Sequence, residues 1–461
     1  MQAPAMPWLP LRQELNLFPG PNDHHGAPTW VLQDPASQRF FRFDWPGFEM
    51  LRRWSLGDPA AIAQAVSRDT TLNLSAEDVT EFQQRLYRWE LLQVSAAVLR
   101  QHWSQRPEAP GGWRWLLQHY LFIRIPLIRP QPWLERWGDQ LGFLFGRGFW
   151  SLTVLAGVLG LYLTVQQWTP FWSTFAEYAD WRGALYLFLA LAVVKILHEF
   201  GHAITTHRFG CRVATMGIAF LVLWPVLYTD TSETWTLRSR RQRLCVGAAG
   251  MLAELAIAAW ATLAWHLAPD GPLRTALFFL ATTAWVMSLI VNLNPFMRFD
   301  GYFLLCDGLN RPNLHARAFE FGRWWLRTRL WGIPAEPPES LPAGEQRAMI
   351  LFAFGTWIYR FFLFLGIALL VYHLFFKALG ILLMVVELVV FIVRPIWREL
   401  QAWWQQRRQM QGWRRVQTLL VLGLLLLPLF IPWSSTLRVP ATHGALVERE
   451  LFVPRAAQLA D

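Results

Sequence analysis

The chain has 461 residues, 54% of them hydrophobic and only 16% charged, with a mean hydropathy of +0.23. That balance excludes an ordinary soluble enzyme and implies a polytopic membrane protein. The net charge of +10 is almost all arginine, clustered beside apolar stretches. This follows the positive-inside rule and argues against a nucleic-acid partner. Many of the 28 Trp, among them Trp150, Trp168, Trp181 and Trp433, fall near the ends of those stretches. Interfacial anchoring accounts for them better than base stacking does. Cys211, Cys245 and Cys306 form no CxxC pattern and read as free thiols. The N-terminus is too polar for a signal peptide.

Residues 1–105 contain no apolar run of membrane length. Residues 29–33 and 40–44 read as short strands separated by a turn at Asp34-Pro35. Three helices follow: one near residues 47–54, one after Asp58-Pro59, and one after a capping box formed by Ser75 and Asp78. The pattern predicts a small α+β domain of winged-helix type, and an unrelated α+β cap fits it equally. His24 and His25 form a dipeptide there with no partner pattern.

Residues 106–148 are rich in Pro, Trp and Arg and form an amphipathic interfacial linker, with a helix expected on the membrane surface over 116–127. Apolar spans follow at 149–167, 183–206, 244–267, 273–293, 349–375, 377–393 and 416–432. The fold class is therefore a polytopic α-helical membrane protein of seven transmembrane helices. The apolar segment between Arg212 and Asp230 is β-branched and aromatic, with Pro225 inside it. It reads as a re-entrant or hairpin element, which lipid tolerates only where it lines a cavity or is buried in protein. The arginine-rich loops put the N-terminus on the cytosolic side and the C-terminus outside. The units are then a catalytic core at 149–305, a cytosolic loop at 306–348, additional membrane helices at 349–433 and an extracytoplasmic tail at 434–461.

The second span carries His198-Glu199-Phe200-Gly201-His202. Positions four apart share a helix face, so His198 and His202 can grip one metal ion. Glu199 stands beside them, where a general base for an attacking water is needed. An ionised side chain at mid-bilayer costs about 2.5–3.5 kcal/mol on insertion scales. A catalytic metal explains all three residues together. Zn2+ needs a third protein ligand and an open position. Asp300 is the best candidate, because Pro295 forces the fourth span to unwind near the same membrane face. A solvated loop aspartate is the competing reading for Asp300, and Asp230, Glu233 and Asp307 are weaker candidates. Asn292 and Asn294 flank the break and could donate to an oxyanion, or serve only as a cap or turn. Lys195 and Glu254 both lie about 15–16 Å from the cytosolic end of their spans, counted at about 1.5 Å per residue. They are expected to pair, structurally rather than catalytically. Arg360 and Glu387 are expected to pair in the same way. His207 is expected at the interface.

HEFGH inside a span, followed by NPFMRFDGY on a later one, resembles the site-2 protease family of intramembrane zinc metalloproteases. The resemblance covers residues 183–305. It implies zinc ligands at His198, His202 and Asp300, a general base at Glu199, and a catalytic asparagine at Asn294. Met297 stands where the family has its second proline. Gly247-Ala248-Ala249-Gly250 is similar to the family's glycine-rich packing segment. Residues 29–95 resemble PqqD-like winged-helix domains, which bind leader peptides, and residues 436–456 resemble the opening strands of a HlyD-type periplasmic adaptor. Together these imply a peptide zinc metalloprotease branch, in a bacterial inner membrane. Its substrate would be a peptide or membrane protein, with a periplasmic adaptor or export partner. The alternative is a non-proteolytic subunit of a peptide-export or secretion system that binds cargo through the N-terminal domain.

Overall fold

The computed structural model describes residues 8–22, 26–37, 39–94, 123–221, 224–374 and 377–430. The His24-His25 dipeptide, residues 116–122 and the adaptor-like tail lie outside them.

The N-terminal unit is an antiparallel sheet of β1 (Asn16–Pro19), β2 (Trp30–Asp34) and β3 (Arg39–Phe43), in that order. It is followed by helices α1 (Trp45–Arg52), α2 (Pro59–Asp69) and α3 (Ala76–Arg88). Alternation along the strands turns Leu32, Phe41 and Phe43 inward, onto Ile62, Val66, Val79, Phe82 and Leu86 in one core. Each helix starts on a side-chain acceptor: Asp44 caps α1, Asp58 caps α2, and Ser75 with Asp78 forms a complete capping box on α3. Ser75→Ala should cost about 0.5–2 kcal/mol of local stability. Faster amide exchange at the start of α3 would register it; unchanged exchange would show that the core alone holds the helix. The short β1, which the sequence pattern does not announce, is added by pairing with β2.

The membrane part begins with β4 (Ile123–Ile128) and the short α4 (Gln131–Trp137), followed by α5 (Arg147–Gln166), α6 (Trp168–Glu177) and α7 (Trp181–Arg208). Next come β5 (Met216–Leu221), β6 (Trp224–Thr229), α8 (Arg240–Leu267) and α9 (Pro272–Val286), which a π turn prolongs to Asn292. After it run α10 (Asp300–Leu309), α11 (Leu314–Trp331), α12 (Ala343–Leu374), α13 (Lys377–Leu388), α14 (Arg394–Gln405) and α15 (Gly412–Phe430). Among the described residues, five helices are long and apolar enough to cross a membrane: α5, α7, α8, α9 with its π turn, and α12. The sixth and seventh expected spans are not among these five. Lys377 and Glu387 punctuate the sixth, whose α13 has 12 residues before a π turn at Val389–Val393 leads into α14.

Helix α8 is the hub, packed by α5, α7, α9 and α10. Small residues make this possible, since lipid supplies no hydrophobic drive between helices and close backbone contact must replace it. A Cβ at Gly160 of α5 would stand 2.9 Å from the backbone nitrogen of Leu263, and one at Gly201 of α7 2.8 Å from the Ala249 carbonyl. Large apolar side chains such as Leu155, Val158, Phe188 and Leu189 point away from these contacts and are exposed, as lipid-facing residues are.

The segment after α7 is a hairpin, with β5 and β6 antiparallel and Pro225 opposite Phe220 on the outer strand, where a missing N–H is tolerated. Residues 123–128 correct the expected surface helix. They form β4, which pairs with β5 to complete a three-stranded sheet. Three isoleucines and Pro126 in six residues favour a strand over a helix interior. Cys211, Cys245 and Cys306 are free. Burial, with the nearby Glu233 charge, pushes the Cys211 thiol up to about 11.

Candidate metal centre

Helices α7 and α8 run antiparallel and meet along matched faces. On α7 the face carries Lys195, His198 and His202; on α8 it carries Glu254, Gly250 and Val246, four residues apart. The side chain of His202 turns Nδ1 to the Val246 carbonyl at 2.8 Å. A proton held there leaves Nε2 with its lone pair free for a metal. His198 turns Nδ1 to Glu254 Oε1 at 2.9 Å, though out of good hydrogen-bond alignment. Both Nε2 atoms therefore point the same way. A Cβ at Gly250 would overlap both imidazoles, so only glycine lets the α8 backbone pass beneath them.

Asp300 arrives from the other side. The π turn Met287–Asn292 and the turns through Pro295 end α9, and Asp300 opens α10. Its Oδ2 lies 3.1 Å from His198 Nε2 and 3.4 Å from His202 Nε2, and the two Nε2 atoms are 3.2 Å apart. Bonds of about 2.0–2.1 Å from a tetrahedral zinc imply ligand separations of about 3.3–3.4 Å. The three atoms thus outline one face of such a tetrahedron. The Asp300 Oδ2 atom is buried without an aligned hydrogen-bond partner, and a cation at the centre of the tetrahedron would supply one. His198, His202 and Asp300 are the cluster able to hold a metal among the described residues.

Glu254 is fully buried and collects donors from two other segments. Lys195 Nζ lies 2.8 Å from its Oε1, and Asn292 Nδ2 reaches both carboxylate oxygens at 2.8 and 2.7 Å. Asn292 is therefore occupied by Glu254. Asn294 holds its own turn, its Oδ1 accepting the Phe296 N–H at 2.8 Å. Glu199 is half-buried next to the histidines, and its backbone carbonyl accepts the Thr229 hydroxyl of β6 at 3.1 Å. The structure does not bring the weaker acidic candidates to this cluster. Asp230 caps Ser232, Glu233 receives the Arg212 N–H, and Asp307 pairs with Arg243. Arg360 turns to the Phe296 carbonyl and the His315 ring, while the Glu387 side chain lies outside the described residues. His207 packs beside Gly138 at the end of α4. The sequence reading missed Val246 and the role of Gly250 under the rings. The four-residue spacing of Val246, Gly250 and Glu254 was the signal that could have found them.

Residues 186–293 match the model of peptidase family M50. The matched stretch takes in most of α7, the hairpin, α8 and α9 with its π turn, and stops short of Asp300. Peptidase family M50 is the site-2 protease family of zinc metalloproteases, and HEFGH lies within the matched stretch. Comparisons with curated proteins and with solved structures return no match.

Proposed function

We propose that the protein is an intramembrane zinc metalloendopeptidase that hydrolyses a peptide bond in a membrane-associated or exported peptide. The observation that carries this reading is the triangle of His198 Nε2, His202 Nε2 and Asp300 Oδ2, whose edges of 3.1–3.4 Å suit a tetrahedral ion. Zinc, when bound, acidifies water and polarises a carbonyl. His198, His202 and Asp300 would hold it. Glu199, next in sequence to one ligand, would take the proton of the attacking water and return it to the leaving amine. Asn294, in the turn before Asp300, would be the oxyanion donor through Nδ2, since its turn contact uses only Oδ1.

A helical substrate hides its peptide bonds, so it must be held extended. Strand β6 is an outer strand of its sheet and runs against α7 beside Glu199, which supports its use as a template for an added strand. In the same reading α13 to α15 contribute two further spans, the arginine-rich loops face the cytosol of a bacterium, and the N-terminal unit selects the peptide. Metal analysis tests the centre. The native chain should hold one equivalent of zinc, and Asp300→Ala should lower the affinity at least tenfold. A native chain without zinc, or an Asp300→Ala chain that binds it equally well, would overturn the reading.

A further inference from the structure

Asp300 is held on both flanks by residues that lie outside the M50 match. Four residues before it, Phe296 turns its ring into α12. The ring stacks against Phe352 and packs beside Tyr359, at centroid distances of 5.8 and 5.5 Å. It rests on Gly355, where an added Cβ would stand 3.3 Å from Phe296 Cε1. The Phe296 carbonyl accepts the Nε–H of Arg360 at 3.2 Å. Two residues after Asp300, the ring of Tyr302 stacks on His315 of α11 at 4.0 Å and 14°. The Tyr302 hydroxyl accepts the His315 backbone N–H at 3.4 Å. One contact joins the two flanks: an Arg360 terminal nitrogen is 3.3 Å from His315 Nδ1.

Arg360 needs an explanation of its own. It lies in a helix apolar enough to span the membrane, where a guanidinium is costly, and no described carboxylate forms an ion pair with it. Its guanidinium instead meets a carbonyl, an imidazole and, at 5.4 Å, the face of Phe319. His315 is buried, and this burial with the charges of Arg360 and Arg298 pushes its imidazole down to about 4. A neutral ring can accept the Arg360 N–H. A turn held at a single point would let Asp300 swing, whereas one held on both sides fixes where its carboxylate sits.

We propose that Arg360, acting with His315, is a positioning residue that fixes the Asp300 carboxylate against the two histidines, which makes α12 a working part of the metal centre. The inference rests on the metalloprotease reading. Cobalt(II) alone is the probe, because its visible absorption reports ligand geometry without any substrate. In the purified full chain, Arg360→Gln should weaken cobalt binding measurably, up to the about 10–100-fold lost when a direct partner of a metal ligand is removed, and should change the absorption band. Arg360→Lys should recover part of both. Ile358→Ala, an exposed site on the same helix, should change neither. If Arg360→Gln does not fold, Gly355→Ala replaces it, since its methyl presses on the Phe296 ring and should shift the same band. An Arg360→Gln chain with lowered thermal stability but native cobalt affinity and spectrum would overturn the proposal and leave Arg360 a packing residue. A native chain that takes up no cobalt would overturn the metalloprotease reading, and this inference with it.

Discussion

Glu199→Gln should leave zinc bound at the native level and slow peptide hydrolysis by about 10²–10⁴-fold, the usual contribution of a positioned base. The two readouts separate because Glu199 is not a corner of the ligand triangle formed by His198, His202 and Asp300. Glutamine keeps the shape of the side chain and loses only the capacity to accept a proton. A scaffold needs ligands but no base. The alternative reading, a peptide-export subunit, therefore predicts that the same substitution changes nothing. Zinc analysis beside mass spectrometry of a candidate peptide checks both halves. Loss of zinc in the variant would make Glu199 part of the metal's support instead, and full cleavage with zinc retained would remove it from the chemistry.

What the sequence made legible was local. HEFGH declares its geometry because helical spacing alone sets His198 and His202 on one face. The unwinding after Asn292 follows from Pro295, and the N-terminal helices follow from their caps. Counting along two antiparallel spans sets Lys195 and Glu254 at one depth, and the structure has them 2.8 Å apart. What stayed hidden depends on partners distant in sequence. Strand β4 exists as a strand because β5, some 90 positions on, supplies its hydrogen bonds. Asn292 reaches Glu254 because a π turn rotates the end of α9, and no periodicity announces a π turn. Arg360 meets a carbonyl and a ring, contacts that charge counting does not weigh.

Gly250→Ala should damage the metal centre directly. The added carbon would overlap the His198 ring and stand 2.5 Å from both Nε2 atoms, the two that would face the ion. Neither neighbour can yield cheaply. The His202 ring is tied at Nδ1 to the Val246 carbonyl and the His198 ring faces the buried Glu254 carboxylate, so pushing either ring breaks a contact on its far side. Overpacking of this kind costs about 1–3 kcal/mol. Charged to the metal-bound form, that is about a 5- to 150-fold loss of zinc affinity. Gly247→Ala, one turn away on the same helix, is the control. Its methyl would meet only the tip of Leu304, at 3.2 Å, a flexible side chain with room to turn. Competition with a zinc chelator should thus separate two substitutions that a general requirement for small residues on α8 would treat alike. Equal affinity in both would mean that the rings do not sit over Gly250 when the ion is bound, and that α8 contributes spacing without shaping the site.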